Sequence, residues 1–171
     1  MSSIPVQPDM PSVLGRLAVG IDHIAIAVPD LERSVTWFTS VLGFVLKERR
    51  VTEGATTGML SAVIEAGPLS LVLLQGTSPQ SQVSKYIQKY GPGVHHLAVG
   101  VENIRLLTDD LQASGFHFDT SLLEGDGLRQ IFSKRDEGSG LMIEFIERSA
   151  AGFSDQNATD LFKQLETSGS F

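Results

Sequence analysis

The chain contains no cysteine among its 171 residues. That excludes disulfides and thiolate zinc sites, and leaves His, Asp and Glu as the strong side-chain metal ligands. It also lacks any run of about 18 uninterrupted apolar residues, the length a membrane-spanning helix requires. The N-terminus has neither the basic start nor the apolar core of a secretory signal. The expected location is therefore the cytoplasm, with no membrane partner. Basic residues are few, 13 Lys and Arg against 20 Asp and Glu. The resulting net charge of -7 argues against nucleic acid as a partner. What is present is an apolar fraction of 42%, ordinary for a packed globular core.

One phrase occurs twice, as His23-Ile24-Ala25-Ile26-Ala27-Val28 and as His96-Leu97-Ala98-Val99-Gly100-Val101. Each copy alternates small and branched apolar residues, the pattern of a strand. Pro29-Asp30 follows the first copy, with Asp30 an N-cap for a helix carrying Leu31, Val35, Phe38 and Leu42 and ending at Gly43. Asn103 takes the place of Asp30 in the second copy, before Ile104, Leu107 and Leu111, and Gly115 ends that helix. Strands are expected at 45–51, 58–65 and 69–75, and again at 116–122, 128–134 and 140–148. The order is β-α-β-β-β, twice, an α+β architecture with an open, barrel-like mixed sheet. Residues 1–18 read as a flexible tail, 19–148 as the paired domain, and 149–171 as a C-terminal capping helix and tail. The linking segment 76–92 is expected to hold a short helix around Tyr86.

A duplication that keeps a histidine at one register suggests two modules, each offering one imidazole to a metal. His95 is set apart from His96, because neighbours on a strand face opposite ways; it is expected to support the site or the fold. Glu144 stands among apolar neighbours in the last strand, and a buried carboxylate needs a partner or a metal. Pairing with an arginine such as Arg129 is the competing reading. Glu147 reads as solvated. Aligning the modules puts Val72 opposite Glu144, so the expected ligand set is His23, His96 and Glu144. Two histidines and one carboxylate with open positions suit non-haem Fe(II), and also Zn, Mn or Co.

The double β-α-β-β-β pattern with these ligands resembles the vicinal oxygen chelate superfamily over about residues 19–148. Ile21-Asp22-His23-Ile24-Ala25, Ser78-Pro79 to Tyr86-Ile87 and Gly93-Val94-His95-His96 resemble the methylmalonyl-CoA epimerases. Gln130-Ile131-Phe132-Ser133-Lys134, Ile143-Glu144-Phe145-Ile146-Glu147-Arg148 and the tail from Gly152-Phe153 to Leu161-Phe162 resemble the catalytic half of the 4-hydroxyphenylpyruvate dioxygenases. That resemblance implies His23, His96 and Glu144 as iron ligands. It also implies Gln130 as a substrate contact, Phe153 as a pocket wall and Ser61 near a substrate-contacting serine. Gln130 reads equally as a solvated strand residue, and Phe153 as a staple for the last helix. Phe132 and Met142 are further candidates for an apolar wall.

The leading expectation is an Fe(II)-dependent dioxygenase taking a small 2-oxo acid and dioxygen. The alternative is a divalent-metal-dependent epimerase or isomerase. The resemblance implies for that class a fourth ligand where Val72 stands and a second acid/base, for which Glu48 and Glu53 are the candidates. A non-catalytic small-molecule binder of the same fold is the third reading. Exposed sheet edges suggest a homodimer.

Overall fold

The two copies of the repeated phrase lie side by side at the centre of the molecule. β1 (Ala18–Ala27) and β5 (Gly93–Val101) pair antiparallel, and their small residues let the chains and the layers above them approach closely. The computed structural model describes residues 13–54, 56–125 and 127–148. Outward from β1 come β4 (Leu69–Gly76), β3 (Gly58–Ala66) and β2 (Val45–Glu53). Outward from β5 come β8 (Ile143–Arg148), β7 (Leu128–Phe132) and β6 (Leu123–Gly125). The eight strands form one open, curled mixed sheet, the expected α+β half-barrel. In each half the outer strand next to the centre runs parallel to it: Ala25 pairs with Val72, and Ala98 with Glu144.

The helices behind the sheet start as their sequences dictate. Asp30 accepts from Arg33 N–H at 2.9 Å and opens α2 (Leu31–Thr36), which continues as a π-helical turn over Trp37–Val41. Asn103 accepts from Leu106 N–H at 3.0 Å and opens α4 (Ile104–Ala113). Chain reversal after each needs a left-handed residue, supplied by Gly43 at φ 75° and Gly115 at φ 84°. Leu31 and Val35 pack on Ala62, Ile64 and Leu73. Ile104 and Leu107 pack on Val101, Ile131 and Phe145. α3 (Gln82–Tyr90), in the linking segment, lays Val83 and Tyr86 on Ala25, Ala27 and Leu74.

Two local expectations change. Residues 13–17, assigned to the tail, form a short helix, α1, whose Val13 is buried against the α4 core. The expected strand at 116–122 is reduced to a bridge between Phe118 and Ser133. Thr120 Oγ1 accepts from Phe132 N–H at 3.0 Å, so a side chain takes the place of a ladder bond there. The C-terminal helix expected after residue 148 lies outside the described residues.

Glu147 is not a merely solvated residue. Its Oε2 accepts from Ile104 N–H at 2.7 Å, the first free donor of α4, and its Oε1 accepts from Arg129 at 2.7 Å. Gln75 does the same for α2, with Oε1 accepting from Leu31 N–H at 2.6 Å. A carboxylate at a helix N-terminus meets both an unpaired N–H and the positive end of the helix dipole. Glu147→Ala is expected to lower the free energy of unfolding by about 1–3 kcal/mol, read as a lower urea midpoint. A loss under about 0.5 kcal/mol would show that water replaces the carboxylate without cost.

Candidate metal centre

Alternation along seven strands turns one set of side chains into the concave side of the sheet. Glu48, Arg50 and Thr52 come from β2, Ser61 from β3 and Val72 from β4. Gln130 and Phe132 come from β7, and Glu144 from β8. They enclose a cavity of about 420 Å³ with His23 and His96 from the central pair. The same position on each parallel strand points inward, so Val72 faces the cavity from one half as Glu144 does from the other.

His23, His96 and Glu144 converge. Their ligand atoms lie within 4.8 Å of one another. His23 Nε2 and His96 Nε2 are each 3.3 Å from Glu144 Oε2, and the rings meet edge to face with centroids 5.5 Å apart. Glu144 is 2% exposed and Arg129 binds Glu147 and Glu124 instead, which removes the arginine reading.

The backbone around both histidines departs from simple alternation. Along the β1–β5 ladder the register slips between Ile21 and His23, and again between His96 and Val94. Asp22 and His95 are the extra residues, at matching places in the two copies. Such bulges re-aim side chains, and here each bulged residue reaches the imidazole beside it. Asp22 Oδ1 is 2.8 Å from His23 Nδ1, and His95 Nδ1 is 2.9 Å from His96 Nδ1. The expectation that His95 and His96 part to opposite faces fails for this reason. Arg148 donates to both Asp22 oxygens, at 2.7 and 2.8 Å.

Burial works against every charge in this cluster, and the neighbours decide the outcome. Burial disfavours the Glu144 carboxylate, but His23 and His96 outweigh it and hold its pKa at about 2. Burial would depress His23, yet Glu144 and Asp22 raise it to about 9. His96 is lowered by burial, which outweighs its bond to Glu144. Burial, His96 and Arg135 keep His95 well below the usual imidazole range. Asp22 is held below the usual carboxylate range: Arg148 and His23 overcome its burial.

Of the other expected site residues, Gln130, Phe132 and Ser61 line the cavity, and Phe132 meets the His96 ring edge-on at 5.1 Å. Met142 does not: it is fully buried and lies outside the lining, because it precedes β8 and its carbonyl is taken by Leu97 N–H. Phe153 lies outside the described residues. Glu48 lines the cavity and Glu53 does not. Asp22, Arg50, Thr52, Gln82 and Arg148 also line it, and none of them was expected there from sequence. The polar alternation Glu48, Arg50, Thr52 was the available signal for two of them. No spacing joins Asp22 to Arg148 across 126 residues.

Residues 20–145 match the family model described as Glyoxalase/Bleomycin resistance protein/Dioxygenase superfamily. The chain is 28% identical to the mitochondrial methylmalonyl-CoA epimerase of Mus musculus over 134 residues, 77% of this chain and 72% of that protein. A solved single-substitution variant of Streptomyces coelicolor methylmalonyl-CoA epimerase, in complex with 2-nitronate-propionyl-CoA, superposes with a TM-score of 0.65. It is 28% identical and covers 78% of this chain and 99% of its own. A mutant 4-hydroxymandelate synthase from Streptomyces coelicolor superposes with a TM-score of 0.77 over 92% of this chain and 57% of its own. At 21% identity it shows the fold alone. The epimerase relatives overturn the expected Fe(II)-dependent dioxygenase, and they give no support to dioxygen as co-substrate. The segments that suggested it, Gln130–Lys134 and Ile143–Arg148, fall on or next to β7 and β8, where alternation toward a shared cavity imposes the pattern whatever the chemistry.

The shifts predict how the metal-free protein responds to pH. His23, raised, contributes stability in full below 6.5 and loses it as pH climbs through about 9. His95 and His96, lowered, destabilise the fold as pH falls below 6.5, because the unfolded chain binds their protons more readily. Glu144, lowered, contributes in full above 4.5 and loses that contribution as pH falls through about 2. The melting temperature is expected to peak near pH 6.5 and decline on both sides. A curve rising steadily to pH 9 would contradict the charge assignment at His23.

Proposed function

The chain belongs to the Glyoxalase/Bleomycin resistance protein/Dioxygenase superfamily, and from that premise we propose that it is a divalent-metal-dependent epimerase or isomerase. It moves a proton at a carbon next to a carbonyl group in a small acyl substrate. The observation that carries this reading is the convergence of His23, His96 and Glu144 on one buried point of a cavity whose family relatives include epimerases. The epimerase that binds 2-nitronate-propionyl-CoA supports an acyl thioester as the substrate class. A volume of about 420 Å³ suits the acyl end of such a molecule.

The donor set fits a divalent cation. Two imidazole nitrogens and a carboxylate oxygen lie within 4.8 Å of one another, and a carboxylate buried this deeply calls for positive charge. Such a set accepts Zn, Mn, Co or Fe(II). A bound cation supplies Lewis acidity toward negative charge developing on the substrate's carbonyl oxygen.

The chain's own residues supply the rest. Val72 stands where the resemblance implies a fourth ligand, so three side chains would hold the cation. Phe132, Leu74, Val72 and Ile146 form an apolar wall that keeps water from the reacting carbon. Asp22, anchored by Arg148, orients His23. Glu48 is one of the two acid/base groups that inversion at carbon needs, exchanging the proton at one face; it lines the cavity from β2 and is held by Arg50.

The test is exchange in deuterated water. Metal-loaded protein, given 2-substituted acyl-CoA thioesters such as methylmalonyl-CoA, is expected to place deuterium at the α-carbon without consuming oxygen. Chelation abolishes exchange and added metal restores it. Tight substrate binding by the metal-loaded protein with no exchange would replace this reading with the non-catalytic binder. Glu48→Gln is expected to slow exchange by about 100-fold or more, with metal affinity unchanged.

A further inference from the structure

The bulge at His95 does more than crowd two imidazoles together. We propose that His95 is a positioning residue that fixes the tautomer of His96 and so keeps the His96 Nε2 lone pair directed at the cation; this rests on the metal-centre reading above.

A neutral imidazole carries one N–H and one lone pair. Two Nδ1 atoms 2.9 Å apart must therefore share one proton, one ring donating and the other accepting. His96 Nε2 faces Glu144 Oε2 at 3.3 Å, inside the ligand cluster. A ligand must present its lone pair there, so the His96 proton sits on Nδ1 and is donated to His95 Nδ1. His95 in turn carries its own proton on Nε2. That atom is buried and has no hydrogen-bond partner among the described residues. The ring gives up a bond at one nitrogen to serve His96 at the other.

The surroundings hold His95 in this role. Arg135 donates to the His95 carbonyl oxygen at 3.0 Å and to the Gly140 carbonyl at 2.7 Å, which pins the bulged backbone. The Arg135 guanidinium lies 4.7 Å from the Tyr86 ring centroid, and the Tyr86 ring meets the His95 ring at 4.9 Å. The first module solves the same problem with Asp22, whose charge Arg148 offsets. The two ligating histidines are therefore unlike: His23 leans on a carboxylate and His96 on a neutral ring.

Zinc is a suitable probe because it is diamagnetic and accepts this donor set. In zinc-loaded protein with 15N-labelled histidine, long-range 1H–15N spectra are expected to show His96 protonated at Nδ1 and His95 at Nε2. By calorimetric titration, His95→Leu is expected to weaken zinc binding by about 10- to 100-fold. His95→Gln, whose amide oxygen can accept from His96 Nδ1, should recover most of that loss. His95 protonated at Nδ1, or zinc affinity in His95→Leu within about twofold of the unaltered protein, overturns the inference while the metal centre stands. Failure of the unaltered protein to bind zinc overturns both. The spectrum of the unaltered protein decides the tautomer even if His95→Leu does not fold.

Discussion

A carboxylate buried between two imidazoles is the interaction on which the rest of this molecule turns. Glu144 is almost wholly removed from water, and an ionised carboxyl in that position is costly without opposite charge beside it. His23 supplies that charge, and both imidazoles reach the same oxygen, Oε2. To bring the three together, β1 must pair antiparallel with β5, and β8 must pair parallel with β5. A slip of one residue in either ladder would turn one of these three side chains to the other face of the sheet. The packing of α2 and α4 behind the sheet serves that register.

The halves share a backbone and differ in chemistry. Val72 and Glu144 occupy matching positions, as do Asp22 and His95, and Gln75 and Glu147. The last pair shows what duplication preserves: both cap the first N–H of a helix. The first two show what it frees. One half contributes an apolar residue where the other contributes a buried carboxylate, and a carboxylate partner for histidine where the other offers a second imidazole. A symmetric scaffold thus produces an asymmetric cavity, with His23, His96 and Glu144 converging at one point of it.

That division explains why local motifs pointed to the wrong chemistry. Gln130, Phe132, Glu144 and Ile146 are spaced by two within their strands because they line one concave sheet. Any member of the superfamily with a cavity on this face needs inward residues at these positions. Similar strings on β7 and β8 therefore report the register of strands more than the reaction between them. The donor set has the same breadth, since several divalent metals accept it. The epimerase relatives favour one of the readings that local motifs leave open.

Much of the fold was legible in the linear chain because its signals are local. Alternation marks β1 and β5, Asp30 and Asn103 mark the helix starts, and Gly43 and Gly115 mark the stops, each acting through its own backbone. The convergence of His23, His96 and Glu144 was legible too, because an internal repeat aligns His23 with His96 and sets Glu144 against Val72. The bulges were not: whether a strand keeps its alternation depends on the partner strand's hydrogen bonds, and Asp22 and His95 are displaced only when β1 meets β5. The same holds for Arg148 on Asp22, Glu147 on α4 and the exclusion of Met142 from the cavity. The sequence by itself determined which residues could act as donors, caps and strand faces. Tertiary structure alone decided which of them touch, because those contacts join segments far apart in the chain and depend on how the sheet curls.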